Sequence, residues 1–286
     1  MSFSSDVKEE LARHLSKSRH CQIAELAALT AFEGKISVAE SENHLLREKY
    51  QMLIDKLFHI EKIESLEEQK RIFSAVKMWD DAEETPKLSE VVNGILIQQN
   101  CCRRAFVRGA FLAGGSISDP NKSYHFEIVC RTLEQASQLQ EVINSFGMDA
   151  KIVARKKYQV VYLKEGAQIV DILNVMEAHV ALMNLENVRI LKEMRNSVNR
   201  KVNCETANIS KTVNAAVQQL RDIEYIKETA GLSSLPDNLR EMALLRLEYP
   251  DAPLKELGTY LNPPVGKSGV NHRLRKISEI AEGLRK

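Results

Sequence analysis

Two stretches of the chain, CRRAFVRGAFLAGGSI at residues 102–117 and CQIAELAALTAFEGKI at residues 21–36, align without a gap, with small and apolar residues at matching positions. The offset between the copies is 81 residues, and Ala28 of the first matches Gly109 of the second. Each stretch has the apolar periodicity of a helix and reaches a glycine, Gly34 or Gly115, soon followed by isoleucine. We predict two helices that end at these glycines, which tolerate a positive φ, and that continue into strands.

The segments that follow each stretch also agree in order. In the first copy we predict a helix at 45–58, two short strands at 60–65 and 72–78, and a closing helix from about Leu88. In the second copy we predict a helix at 133–146, two short strands at 151–155 and 158–163, and a closing helix from about Ala167. Two amphipathic helices that end in glycine also align by chance, but the shared order of the later elements argues against chance. The sequence therefore predicts two α/β halves related by a pseudo-twofold axis, with the repeated helices in contact through Ala28 and Gly109.

The composition is that of a globular protein large enough for two domains. Of the 286 residues, 44% are hydrophobic and 28% are charged, which is ordinary for globular chains. The longest apolar run is far shorter than the roughly 20 residues that cross a bilayer, and the N-terminal segment carries acids where a signal peptide is apolar. We expect a cytoplasmic protein with no membrane partner. Because the net charge is only +1, a nucleic-acid surface has to come from local charge distribution.

The five cysteines are an odd set with no CxxC pair and no cluster with histidine at zinc spacing. Vicinal cysteines such as Cys101 and Cys102 seldom bond to each other, and a buried cysteine usually only packs. We therefore expect no disulfide framework, no structural metal and no cofactor, and we assign no chemistry to this pair.

The C-terminal segment KSGVNHRLRKISEIA, at residues 267–281, predicts a recognition helix. Val270, Leu274, Ile277 and Ala281 form one apolar stripe that docks on preceding helices. The outward face and flanks are polar and basic, with no acid before Glu279, and comprise Lys267, Ser268, Asn271, His272, Arg273, Arg275 and Lys276. Short polar groups and arginine suit base edges in the major groove, and lysines suit phosphates. A basic face of this kind is also typical of a merely solvated helix.

Residues 186–210 are polar, rich in asparagine and helical in pattern, which predicts a helical linker. Arg195, Arg200 and Lys201 are candidates for secondary DNA contacts. Such residues are equally common on a solvated interdomain helix, so this alternative stays open.

Two resemblances become visible at this point. FVRGAFLAGGSI, at residues 106–117, resembles the LAGLIDADG helix of homing endonucleases, and residues 196–220 and 263–277 resemble the WhiA family of bacterial regulators. The resemblance covers nearly the whole chain. It implies an α+β fold, with a duplicated LAGLIDADG-like domain at 1–185 (repeats at about 20–98 and 101–180), a helical linker at 186–210, and an all-α helix-turn-helix domain similar to sigma region 4 at 211–286.

The same resemblance implies a DNA-binding transcription regulator that acts in cell division, chromosome segregation and sporulation. Its expected partners are double-stranded DNA and other regulatory proteins, and its expected location is the nucleoid. A rival interpretation is a metal-dependent homing-type endonuclease, and a third is an N-terminal repeat that binds a protein or small ligand.

Active LAGLIDADG enzymes end each repeated helix with an acid that precedes the glycine, and the two acids hold divalent metal at the scissile phosphates. Here Glu33 precedes Gly34, but Gly114 precedes Gly115, and Asp119 lies beyond the predicted helix end. A single carboxylate does not make the two-acid site, so we predict no catalytic residue and no metal. Glu33 is then either a remnant ligand or a surface acid at a helix end.

A basic segment, comprising Arg155, Lys156, Lys157 and Lys164, lies on the two strands predicted at 151–155 and 158–163. It is either a residual nucleic-acid face of the sheet or a solvated hairpin.

Overall fold

The computed structural model describes residues 2–34 and 41–285. It divides into two compact units, Met1–Glu193 and Met194–Lys286. Within the described residues, no helix is both long enough and apolar enough to cross a membrane.

The first unit is mixed helix and sheet. Its elements are α1 (Phe3–Arg13), α2 (Arg19–Glu33), α3 (His44–Phe58), α4 (Leu66–Ala75), β1 (Trp79–Asp80), β2 (Thr85–Pro86), a short 3-10 helix (Gly94–Ile97), α5 (Asn100–Gly114), β3 (Gly115–Ile117), β4 (Phe126–Cys130), α6 (Leu133–Asn144), β5 (Lys151–Arg155), β6 (Tyr158–Leu163), α7 (Gly166–Met176) and the start of α8 (His179–Thr229). The strands β3-β4-β6-β5 form an antiparallel sheet in that order.

The second copy of the repeat follows the prediction closely. The strands β5 and β6 have the predicted bounds, and α5, α6 and α7 lie where helices were predicted. Alternate residues of β4 are buried, so that one face of the sheet packs on the core. The ring of Phe126 on this face stacks on Phe111 of α5, with 5.2 Å between centroids.

The first copy differs from the prediction. Its helix α3 is confirmed, but both predicted strands are wrong: residues 60–65 form neither strand nor helix, and most of 72–78 lies in α4, at residues 66–75. Ser65 and Glu68 make a reciprocal capping box at the start of α4, which is a strong signal for a helix. The helix predicted from about Leu88 is also wrong, since a 3-10 turn forms later. The strand predicted after Gly34 falls on residues 35–40, outside the described residues.

The two glycines that end the repeated helices act differently. Gly34 has the predicted left-handed conformation, with φ 63°. Gly115 does not: its φ of −87° and ψ of 155° are extended, and it is the first residue of β3. A Cβ at Gly115 would collide with the ring of Phe111, so close packing, not positive φ, calls for glycine there.

Helices α2 and α5 make the predicted contact through small residues. A Cβ on Gly109 would lie 2.7 Å from the carbonyl oxygen of Glu25 and 2.9 Å from Cβ of Ala28. The backbones therefore approach more closely than any larger residue at Gly109 allows. This helix pair lies at the centre of the first unit, with Leu26, Ala28 and Phe106 fully buried.

The second unit is entirely helical among its described residues. It comprises the later part of α8, a 3-10 turn (Leu232–Ser234), α9 (Asp237–Glu248), α10 (Leu254–Thr259) and α11 (Lys267–Arg285). The predicted apolar stripe of α11 is confirmed, because its residues are buried among side chains of the other helices. The buried members of this core are Ile223, Ile226, Leu235, Leu239, Met242, Ala243, Leu257, Leu261, Val270, Leu274, Ile277 and Ala281.

Candidate nucleic-acid interface

The turn at residues 260–266 holds α11 against α10. The amide of Val265 donates to the carbonyl oxygen of Gly258 at 2.9 Å, and a Cβ on Gly258 would collide with the carbonyl oxygen of Val265. Glycine at this position therefore lets the turn backbone cross the end of α10 in direct contact. Val270 of α11 packs over the same glycine. The two helices and the turn form one helix-turn-helix.

The predicted DNA-binding residues of α11 lie on its exposed side. Six of the seven are exposed; Arg273 is half-buried and directs its guanidinium toward the carbonyl oxygen of Asn238, at 3.5 Å. The six exposed residues are Lys267, Ser268, Asn271, His272, Arg275 and Lys276. The first turn of α11 contains no acidic residue, so nothing there opposes the positive end of the helix dipole.

This exposed side has two parts. Lys267 and Asn271 line a cavity of about 390 Å³ against residues of α8, including Lys211, and Asn271 and Arg275 line a second cavity against the same helix. At about 100° per residue, His272 and Lys276 point away from these cavities, and Ser268 lies only about 20° from Arg275 around the helix. The outermost ridge of α11 is therefore formed by Ser268, His272, Arg275 and Lys276.

Arg275 already has an acidic partner on its own helix. Its Nε lies 3.1 Å from Oε1 of Glu279, and both side chains are largely exposed, at 76% and 57%. A surface pair at this spacing contributes little to stability. Arg275 therefore exchanges this contact for a stronger acceptor at low energetic cost.

The basic residues predicted on the linker are exposed but do not share one face. Arg195, Arg200 and Lys201 all lie on α8, and Nε of Arg200 donates to the carbonyl oxygen of Asn196 at 3.3 Å. In a helix of about 3.6 residues per turn, residues 195 and 201 point in different directions.

The basic hairpin of the sheet is partly neutralised. Arg155 pairs with Glu127 through two hydrogen bonds of 3.1 and 3.3 Å. Burial by itself raises the pKa of Glu127, but His125 and Arg155 bring that pKa below its ordinary value. The ammonium groups of Lys157 and Lys164 lie over tyrosine rings, 5.2 and 4.9 Å from the centroids. Lys156 occupies the turn of the hairpin, with φ 56°.

The positions of the nuclease acids cannot form a two-carboxylate site in this geometry. A Cβ at Gly114 would lie 2.8 Å from the carbonyl oxygen of Val129, so β4 fills the space that an acidic side chain needs. Near the other position, Arg131 donates to the carbonyl oxygen of Glu33 and covers Gly34. A guanidinium beside Glu33 opposes binding of a cation there.

Asp119 closes its own turn. Its carboxylate accepts hydrogen bonds from the backbone amide and side chain of Asn121, at 2.9 and 3.1 Å. These bonds lower the pKa of Asp119 and occupy the carboxylate with a structural role.

Comparisons with known proteins agree with the two units. A model of the "WhiA LAGLIDADG-like domain" matches residues 103–195, and a model of the "WhiA C-terminal HTH domain" matches residues 198–281. The "Probable cell division protein WhiA" of Lachnoclostridium phytofermentans is 52% identical, with 100% of each chain covered. The chain belongs to the WhiA family. The resemblance seen in the sequence is thus confirmed, and so is the α+β architecture with a LAGLIDADG-like part and a helix-turn-helix.

Two further members of the WhiA family extend the comparison. The "Probable cell division protein WhiA" of Alkaliphilus oremlandii is 51% identical over 99% of this chain and 98% of its own. A crystal structure of "full-length DUF199/WhiA from Thermatoga maritima" is 28% identical, with a TM-score of 0.58 over 99% of this chain and 98% of the other. The relatives from Lachnoclostridium phytofermentans and Alkaliphilus oremlandii are named for cell division and not for an enzymatic reaction.

Proposed function

We propose that this chain is a DNA-binding transcription regulator in which α11 reads base edges in the major groove. The observation that carries the proposal is the exposed polar and basic side of α11, held on a helix-turn-helix by a buried apolar stripe. Side chains such as Ser268 and His272 suit base edges, and Lys276 suits a phosphate at the rim of the groove. The names of its relatives support a role in cell division, and the family resemblance extends the proposal to chromosome segregation and sporulation.

We propose different roles for the rest of the basic residues. The three basic residues of the linker, Arg195, Arg200 and Lys201, lie on several sides of α8, so they cannot all enter one DNA groove. They contact DNA phosphates and not base edges. Lys267, near Lys211 in the cavity beside α8, adds positive charge at the start of the recognition helix. The same proposal includes domain limits at 185 and 210, a location at the nucleoid, and other regulatory proteins as partners.

The first unit, in this proposal, is a platform without nuclease activity. The packing of Gly114 on Val129 supports this, because two opposed carboxylates are needed to hold metal ions at a scissile phosphate. The positive charge of Arg131 next to Glu33 also disfavours binding of a divalent ion there.

Selection from a random duplex library tests both halves of the proposal. Full-length protein is incubated with the library in magnesium buffer, bound DNA is sequenced, and the same samples are run on a denaturing gel. We expect an enriched motif and intact DNA. The enrichment should vanish for His272→Ala combined with Lys276→Ala and persist for Lys227→Ala, a control lysine exposed on α8. No enrichment contradicts the regulator, and magnesium-dependent cleavage contradicts the inactive platform.

A further inference from the structure

Four side chains that commonly bind metals meet at the N-terminal ends of α2 and α5. His20 and Cys21 lie in the first turn of α2, and Cys101 and Cys102 in the first turn of α5. One ligand atom from each residue lies within 4.8 Å of all the others. Nδ1 of His20 is 3.2 Å from Sγ of Cys102, 3.4 Å from Sγ of Cys21 and 4.0 Å from Sγ of Cys101.

These separations are close to the edges of a tetrahedral zinc site. With Zn–S near 2.3 Å and Zn–N near 2.0–2.1 Å, neighbouring ligand atoms lie about 3.5–3.8 Å apart. The observed distances from the histidine nitrogen lie on either side of this value, so small rotations of the side chains complete the tetrahedron. Three cysteines and one histidine are a donor set typical of structural zinc.

The pseudo-twofold relation of the two halves explains how the cluster arises. At the offset of 81 residues, His20 corresponds to Cys101 and Cys21 corresponds to Cys102. Each half therefore contributes one vicinal pair from the same place in its repeated helix. The close contact of the helices at Gly109 and Ala28 holds the two pairs opposite each other.

The surroundings suit a cation that is bound by thiolates. Cys21 and Cys102 are buried beside Ala24 and Ala105, whereas His20 and Cys101 are exposed. The N-terminal ends of two helices favour negatively charged sulfur. A cavity of about 320 Å³, lined by Cys21 and Cys101, opens beside the cluster and gives an ion a route of entry.

We propose that His20, Cys21, Cys101 and Cys102 bind one zinc ion, which fastens the start of α2 to the start of α5. On binding, each cysteine thiol releases its proton to solvent and its sulfur forms a bond to the metal. With four protein ligands the site is closed, so the ion has a structural and not a catalytic role. The site is separate from the proposed DNA-reading helix. Spacing along one segment did not predict it, because its ligands come from two segments.

The test measures metal in the full-length protein, purified under reducing conditions without chelator. We expect one zinc per chain by elemental mass spectrometry, and near-complete loss in Cys101→Ser and Cys102→Ser. The matched control is Cys204→Ser, an exposed cysteine of the second unit, which should keep one zinc. His20→Ala should weaken zinc binding by more than about tenfold.

Cobalt substitution of the wild-type protein gives a readout that needs no variant. We expect one equivalent of Co²⁺ to produce thiolate charge-transfer absorption and the strong visible bands of a tetrahedral site, and zinc to displace them. Chelator should lower the Tm of the wild type and leave that of Cys101→Ser unchanged. Three outcomes overturn the proposal: reduced protein that takes up neither metal, Cys102→Ser that retains zinc, or a Cys21–Cys102 disulfide in place of the metal.

Discussion

The guanidinium of Arg108 on α5 donates hydrogen bonds to both carboxylate oxygens of Glu25 on α2, each at 3.0 Å, and both side chains are fully buried. Lys49 of α3 lies 3.0 Å from the same carboxylate, and Glu177 accepts from Arg108 at 2.7 Å. Burial alone lowers the pKa of Arg108, but these two carboxylates raise it above its ordinary value. These buried charges thus join α2 to α5 and to α3.

We expect Arg108→Ala to lower the free energy of unfolding by about 3–5 kcal/mol, because it leaves Glu25 buried beside only one of its two cations. Urea titration measures the change. Arg13→Ala is the control in the same unit, since its contact with Glu9 is 3.7 Å long and exposed, and it should cost less than about 1 kcal/mol. Equal losses in the two variants contradict the assigned role.

The second prediction concerns pH and His14, whose Nε2 lies 3.1 Å from Glu177. Its Nδ1 is buried with no hydrogen-bond partner among the described residues. Burial is the largest cause that lowers the pKa of His14 below 6.5, and the positive charges of Arg108 and Lys49 act in the same direction. The carboxylates of Glu177 and Glu25 oppose this shift but do not cancel it.

The folded protein therefore binds this proton less tightly than the unfolded chain. The contribution of His14 to stability is complete above pH 6.5 and is lost as the pH falls from there toward the lowered pKa. We expect His14→Gln to flatten the fall in unfolding free energy below pH 6.5, by at most about 1.4 kcal/mol per pH unit. A wild-type slope in His14→Gln would refute the assignment.

The third prediction concerns the closest point of α2 and α5. Gly109→Ala should destabilise the protein by about 1–3 kcal/mol, because the new methyl group meets backbone and not a flexible side chain. Gly94→Ala is the control, since nothing lies within 4 Å of its added Cβ, and thermal unfolding should hardly change. Loss of similar size in both variants argues against the close contact.

Replacing the missing acid should not restore a nuclease. Gly114→Asp is expected to lower stability by about 1–3 kcal/mol, because its Cβ meets the carbonyl oxygen of Val129, and to leave supercoiled plasmid intact in magnesium. Gly114→Ala separates the steric effect from the charge and should cost a similar amount. Plasmid cleavage by Gly114→Asp, absent in Gly114→Ala, contradicts this account.

Periodicity along the sequence was enough for the second copy of the repeat and for α11. There the local pattern and the tertiary structure agree, as in β6 and in the stripe from Val270 to Ala281. In the first copy the pattern is ambiguous, because Ile72 and Phe73 suit a strand as well as a helix, whereas the capping box of Ser65 and Glu68 marks the start of a helix.

The buried charges and the thiol cluster could not be inferred from local pattern. Arg108 and Glu25 are 83 residues apart, and each by itself resembles a surface residue of a helix. The register of the repeat did hold one usable signal, since it places Cys102 on Cys21 and Cys101 on His20. The four side chains come together only because α2 and α5 are in contact.

If α11 reads DNA, fluorescence anisotropy on selected and scrambled duplexes at several salt concentrations separates base contacts from phosphate contacts. Arg275→Ala should weaken binding to the selected duplex by about 1–3 kcal/mol and spare the scrambled one. Lys276→Ala should weaken both alike and reduce the salt slope by about one. Equal losses on both duplexes in the two variants, or no loss in either, would contradict the claim.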